Sequence, residues 1–394
     1  MPASITTANA ILKEVYEGKL REQINQKVKL LTKITNVSTR VGAKYVAFPV
    51  HTTRNSGVGA RRENETLPSA GNQGTEQARV SLKYLYSRIQ LSGPSIELIG
   101  SDFNSFQDLL ELETQYLKKD MAVDLNRQMY GNGTGAIGAT STVGAATVAT
   151  ITSGIDNFQV GMVVDVYTSA NFASEGAVKQ TVTVTAVGAS TVTVSASVTF
   201  AAGDVFVRTG NINREITGLG AIVSDVGLLY NINPTTVPVW AATVNANGGT
   251  PRTLGESMMI TMADTIVKKS GESPNVAFTS LGVRRAYFNL LEQQREFSNT
   301  STFTGGFGGL KFMTDDGEIP IISDKDCPPG TMYFLNTNNL KIYQQGDWSF
   351  LDRMGSKWQQ VPNTDAFSAT MYRYMEMATD QRNAHGKIVD ITEA

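Results

Sequence analysis

The chain has 394 residues, 41% of them hydrophobic, and a formal net charge of −2. This length allows two or three domains with substantial cores, and the near-neutral charge excludes a tight nucleic-acid grip, which needs clustered Lys and Arg. A single cysteine, Cys327, excludes an internal disulfide and a thiolate metal cage, and only two histidines, His51 and His385, are present for His-based chemistry. No apolar run is long enough to span a membrane and no basic-then-apolar signal opens the chain, so the expectation is a cytoplasmic protein or one released by lysis.

Residues 1–43 read as an arm with short helical patterns. Ala10, Ile11, Val15 and Leu20, then Ile24, Val28 and Leu31, recur among polar residues and offer too little apolar surface for a separate domain. Residues 44–51 and 80–91 read as strands, rich in β-branched and aromatic side chains. A long polar link joins them, with several glycines and the charge cluster Arg61, Arg62, Glu63 and Glu65. An isolated two-stranded arm is marginal in water, so this arm is expected to become ordered on a neighbouring molecule; the ordinary alternative is a surface loop.

Residues 102–130 contain no Pro or Gly and are mostly good helix formers, with Ser101 or Asp102 as the cap and Gly131 beyond the end. They predict a helix of ~43 Å at ~1.5 Å per residue. Its apolar residues form two lines, one through Leu117, Met121 and Leu125 and the other through Tyr116, Val123 and Tyr130. Two lines predict packing from two sides, while Asn126 falls on the polar wedge opposite.

Charged residues nearly vanish from 139 to 210, where Val, Thr, Ala, Ser and Gly dominate. Strand-like runs at 147–151, 162–167, 180–187, 191–198 and 204–209 predict a small all-β sandwich or barrel, inserted into a host fold that resumes near Asn211. With no Trp, this module suits a structural or display role better than carbohydrate binding.

Beyond it, Thr253 and Glu256 have capping-box spacing at the start of a helix running to Lys269. A strand at 275–279 and a second helix at 281–296 follow, and the alternation predicts a layered α/β unit. Asp316-Gly317 predicts a hairpin turn between strands at 310–314 and 319–322. Further strands are expected at 332–335, 340–343, 367–377 and 386–391.

The chemistry-bearing patterns are sparse. GGFGG at 305–309 lacks the Lys and the strand–helix setting of a phosphate cradle. No nucleophile elbow or paired-His zinc motif occurs. Asp315, Asp316, Glu318, Asp324 and Asp326 are the densest carboxylates but match no calcium loop. Cys327 reads as a buried thiol, and Trp240, Trp348 and Trp358 as core or interface anchors. No catalytic, cofactor or metal site is expected, and an enzyme is the least favoured class.

The order of these parts, with KYVAFPV, VSLKYLYSRIQLSG, SDFNSFQDLLE, INREITGLGAIV and the ending MYRYMEMATDQRNAHGKIVDI, resembles the major capsid proteins of tailed bacteriophages with the Hong Kong 97-type fold. The resemblance implies an α+β chain: an N-terminal arm (1–43), an extended loop (44–93), a peripheral domain (94–138) with its spine helix (102–130), an inserted β domain (139–210), an axial domain (211–339) and C-terminal strands returning to the peripheral domain (340–394). It implies self-assembly of hexamers and pentamers into an icosahedral shell around double-stranded DNA, without sequence-specific binding, cofactor or membrane. Assembly in the host cytoplasm and residence in the virion follow. The expected partners are other copies of the chain, a scaffolding protein, a portal protein and, where the shell carries one, a decoration protein. Arg61, Arg62, Glu63 and Glu65 are expected at an inter-subunit contact. The alternatives are an encapsulin-like nanocompartment shell or, from a different class, a carbohydrate-binding tail or adhesin protein.

Some members of that family weld subunits through a Lys–Asn isopeptide bond from a lysine in the extended loop. This chain has no lysine between His51 and Arg79; Lys44 and Lys83 stand at the loop's base. Assembled shells boiled in denaturant are therefore expected to run as single subunits on a gel, and covalent ladders would contradict this.

Overall fold

The computed structural model describes residues 27–37, 45–94, 103–293, 310–314, 317–352, 355 and 357–394. The expectations for residues 1–26, for the cap at Ser101 or Asp102 and for Asp315 and Asp316 lie outside the described residues. In chain order come α1 (Leu30–Lys33), β1 (Thr35–Val37), β2 (Val46–Thr53), β3 (Gly74–Val80), β4 (Lys83–Ser92) and the long helix α2 (Phe103–Tyr130). Then follow β5 (Ala136–Thr140), β6 (Gly144–Ser153), β7 (Val163–Tyr167), α3 (Ser169–Ser174), β8 (Gln180–Val187), β9 (Thr191–Phe200) and β10 (Val205–Arg208). After α4 (Leu219–Ile222), β11 (Thr243–Asn245), α5 (Glu256–Ser270), β12 (Val276–Thr279) and α6 (Leu281–Gln293) the chain is mostly strand. These strands are β13 (Lys311–Thr314), β14 (Gly317–Ser323), β15 (Met332–Leu335), β16 (Leu340–Gln344), β17 (Ser349–Phe350), β18 (Gln359–Gln360), β19 (Ala366–Thr379) and β20 (Gly386–Ile388).

One six-stranded sheet is built on β19, which pairs with β4 along one edge and with β16, β17 and β18 along the other; β1 adds parallel to β16. A second sheet has the order β11-β20-β15-β12-β14-β13. Its central strands read as continuous apolar runs because both faces are covered. The period of two separates the faces. Val276, Phe278, Tyr333 and Leu335 enter the main core with the end of α2, whereas Ala277, Met332 and Phe334 meet Met259, Met262, Ile266, Val283 and Tyr287 of α5 and α6. The α/β layering expected from the sequence is therefore present, with both helices on one face. The capping box is not: Gly255 holds the N-cap of α5 without a side-chain bond.

Residues 136–208 close into a barrel of order β10-β5-β6-β9-β8-β7, filled by Val164, Val166, Val192, Val198, Phe158 and Phe206. All five expected strand runs are found. The first strand, β5, falls outside those runs, because Ala-Ile-Gly-Ala-Thr has little β signal of its own.

The arm pairs differently from the expectation. The partner of β2 is β3, from His51 opposite Thr75 to Val46 opposite Val80, so strand pairing begins inside the stretch read as link. The run expected as one strand at 80–91 is instead β4, which pairs with β19 from Lys83–Met375 to Ser92–Ala366. Only Ala78 and Val80 of β3 are buried, so its sequence carries little hydrophobic alternation.

All these parts meet at the last two turns of α2. Leu125, Met129 and Tyr130 enter the main core. Asn126, assigned to the outer polar wedge by helical spacing, is instead fully buried. Its Nδ2 donates to Asp324 Oδ1 at 3.2 Å, and its Oδ1 accepts from Leu31 N at 3.4 Å. Asp324 in turn accepts from Leu30 N at 3.2 Å. The helix end, α1 and the loop after β14 are thus clamped by one amide and one carboxylate. Next to it, Gly218 passes so close to the end of α2 that a Cβ there would lie 2.4 Å from the Gln128 carbonyl oxygen, and Gly220 N caps the Gly131 carbonyl at 3.0 Å. Replacing Asn126 by Ala leaves Asp324 short of donors in a buried site. The expected result is a loss of about 2–4 kcal/mol in urea unfolding, together with faster tryptic cleavage after Lys29 and Lys33.

Candidate assembly interface

The arm divides into a stalk that packs on its own subunit and a tip that, among the described residues, makes hydrogen bonds only within itself. Along β2, Val46, Phe48 and Val50 alternate inward and pack on the main core beside Ala78 and Val80. Arg79 N bonds the Tyr230 carbonyl at 2.9 Å. The expectation that the arm becomes ordered on a neighbouring molecule is not needed for the stalk, one face of which already packs on its own subunit's core. Residues 54–73 are different. Val58 is 87% exposed and Leu67 is 80% exposed, an apolar pair that water alone does not favour.

The four charged residues singled out in the sequence all lie in this exposed tip, and two of them shape it. Arg61 Nε donates to Thr66 O at 3.0 Å, and Glu65 Oε2 accepts from Arg62 N at 2.9 Å. These bonds close a turn through Asn64, whose φ is 65°. Among the described residues, no hydrogen bond or ion pair reaches the side chains of Arg62 or Glu63.

The root of the arm is a buried polar joint, and nothing in its sequence marked it. Lys83 Nζ donates to Asn213 O at 2.8 Å. Glu376 on β19 is 2% exposed and accepts from Thr217 N at 2.6 Å and Met377 N at 3.1 Å. Burial pushes the Glu376 carboxyl up to about 8, against the opposing pull of the Thr217 amide and Lys83. It therefore stays neutral below that pH and holds the loop after the barrel against β19.

The acidic side of α2 seats the barrel. Asp124 takes Arg127 at 3.2 Å and Arg208 of β10 at 3.3 Å, and Arg127 reaches Glu215 at 2.6 Å. Gln128 Nε2 donates to Asp124 at 2.8 Å, and Gln128 Oε1 accepts from Ile216 N at 3.3 Å. Burial raises the Asp124 carboxyl, but Arg127 and then Arg208 outweigh it and hold the group below its ordinary range.

The other sequence candidates have structural settings. Asp324 and Asp326 face Asn126, whereas Glu318 pairs with Lys311 in the hairpin. Among the described residues no group of three or more His, Cys, Asp or Glu is arranged to hold a metal. Burial pushes the Cys327 thiol up, which suits an inert core thiol. His385 is fully buried, and burial lowers its pKa to about 3; it accepts from Asn336 N and contacts Thr379 Oγ1 at 2.9 Å. Trp240 is buried in the main core, and Trp348 packs against that core with Arg373 over its ring at 5.2 Å.

A long helix joining two sheets, a projecting two-stranded arm and a helix-covered second sheet define a shell-forming capsid subunit of the Hong Kong 97-like fold. The sequence matches the SU10 major capsid protein family over residues 6–392, and the chain belongs to that family. It is a phage major capsid protein, a structural subunit of the virion shell, and the nanocompartment and adhesin readings are set aside. The fold is similar to the cyanophage A-1(L) capsid asymmetric unit, with a TM-score of 0.64 at 14% identity, covering 99% of this chain and 100% of that one. It is also similar to a chain of Mycobacterium phage Bobi, with a TM-score of 0.52 at 11% identity and 99% of each chain covered. For the capsid of Myoviridae phage XM1 the TM-score is 0.52 at 9% identity, with 98% of each covered. No curated protein matches the sequence.

Glu376 gives the subunit a pH dependence of definite sign. Its folded pKa lies above the ordinary 4.5, so the unfolded chain loses this proton first as pH rises, and stability falls through the window from 4.5 to about 8. Glu376→Gln keeps the acceptor oxygen and removes the titration. Its Tm, followed by scanning calorimetry, is expected to fall less across that window than the parent's.

Proposed function

We propose that this subunit forms hexamers and pentamers that close an icosahedral head around double-stranded DNA, with the arm tip as the element that joins neighbours. One observation carries this: the tip combines two highly exposed apolar side chains, Val58 and Leu67, with charges that have few partners inside the subunit. Such a surface gains most by burial against another copy, and closed symmetry repeats a modest contact over the whole shell. Arg61, Arg62, Glu63 and Glu65 are the residues assigned to that contact.

In this reading, 44–93 is the extended loop. The peripheral domain combines 94–138 with the C-terminal strands 340–394, and 211–339 is the axial domain. The barrel is an insertion tethered at neighbouring ends, where Asn213 N bonds Thr134 O at 2.9 Å. Its low charge and Thr- and Val-rich surface suit display on the shell. The net charge of −2 suits a container that encloses DNA without gripping it. Scaffolding, portal and decoration proteins are the partners such a head would take.

Reversing Arg61 and Arg62 to Glu tests the tip. The purified subunit is expected to keep its circular dichroism and Tm, because neither side chain packs in the core. Shell yield by sedimentation and negative-stain microscopy is expected to fall roughly tenfold or more. A normal yield of shells would refute the assignment.

A further inference from the structure

The outer half of the stalk and the body of the subunit border a cleft of about 520 Å³, a volume that takes a small organic molecule. The stalk lines it with Pro49, Val50, His51 and Arg54, and the body with Val239, Lys269, Ser270, Asp380, Gln381 and Asn383. The body side is held in place. Asn383 Nδ2 donates to Lys269 O at 3.2 Å, and Gln381 Nε2 donates to Ser270 O at 3.0 Å. These bonds take up carbonyls at the end of α5 and so offset the negative end of that helix. The one acid among the lining residues, Asp380, is already engaged by Lys341 and by Tyr343 Oη at 3.4 Å. The basic groups are not engaged. Among the described residues, no hydrogen bond or ion pair reaches the side chains of His51, Arg54 or Lys269, and all three residues are exposed.

We propose that this cleft binds a small polyphosphate anion that bridges Arg54 and His51 of the stalk to Lys269 of the body. The charge balance selects an anion: two permanent cations face one carboxylate that already has its own lysine. The donor types select phosphate. A guanidinium grips two phosphate oxygens at once, and an ammonium serves as a point charge for a third. The cations stand on opposite walls, so a chain of several phosphates reaches both where a single small ion does not.

The polyphosphate comes from a nucleotide or from an inorganic chain. The apolar wall of Pro49, Val50 and Val239 gives a nucleoside a surface to lie on. Duplex DNA is too wide for a cleft of this volume. Binding ties the far end of β2 to the end of α5, at a place where the stalk otherwise has only its apolar face on the body. The site does not depend on where the arm tip seats.

Calorimetric titration of the purified full-length subunit with ATP and with inorganic tripolyphosphate, in magnesium-free buffer, tests this. Saturable binding is expected, weakened roughly tenfold or more by Arg54→Ala and by Lys269→Ala. Arg214→Ala, which removes an exposed arginine outside the cleft, is expected to change nothing. Tighter binding of ATP assigns the site to a nucleotide, and equal binding of the two assigns it to the phosphate chain alone. Saturation is also expected to slow amide hydrogen exchange at residues 51–54, as a bridge between stalk and body requires. No saturable binding of either probe, binding that both cleft substitutions leave unchanged, or exchange unaltered at saturation overturns the proposal. Binding of duplex DNA alone also overturns it. None of these outcomes bears on the arm tip, which the reversal of Arg61 and Arg62 tests separately.

Discussion

Four polar side chains around the last two turns of the long helix hold the subunit together. Asp124, Asn126, Arg127 and Gln128 occupy successive directions around an end whose apolar residues, Leu125, Met129 and Tyr130, already fill the main core. Each direction leads to a different part of the chain: the barrel through Arg208, the N-terminal segment through Asn126, and the loop at 211–216 through Arg127 and Gln128. Buried polar groups of this kind cost more when half satisfied than apolar ones would. The joint therefore specifies one relative arrangement of these parts, because any other leaves charges without partners. Apolar packing alone, being non-directional, would not fix that arrangement.

The arm uses the opposite strategy. Its stalk is held by alternate apolar residues and its root by a neutral buried glutamic acid, so its direction is set within the subunit. Its tip is shaped by bonds to its own backbone and stays exposed among the described residues. A projection shaped within its own subunit would lose less entropy on any contact it made than a segment that ordered only there. Among the described residues the arm is thus fixed at its root and exposed at its tip.

The barrel is almost independent of this. Its core of valines and phenylalanines is its own, and its few charges are spent locally: Lys179 on Asp204 within the barrel, Arg208 on Asp124 at the seat. The packing of the barrel is thus separate from that of the two sheets.

Periodicity and composition by themselves determined the long helix, the barrel strands, the α/β layering and the order of parts that resembles a capsid subunit, because these depend on local pattern summed over many residues. The exposure of Arg61, Arg62, Glu63 and Glu65 was legible too, in a polar, glycine-rich stretch with little to bury. Tertiary structure alone decided which strand pairs with which. β3 has only Ala78 and Val80 to bury, so its pairing with β2 leaves little trace in the sequence, and the stronger signal of β4 belongs to a partner about 280 residues away. It also decided the fate of the buried polar residues. Asn126 reads as surface by helical spacing, and Glu376 and Arg382 carry no marking pattern, yet Arg382 is 1% exposed and donates to the carbonyls of Ala221, Ile222, Val226 and Gly227. A polar side chain goes inside only when its partners arrive there as well, and those partners lie up to 200 residues away for Asn126 and 161 for Arg382, beyond the reach of any local pattern.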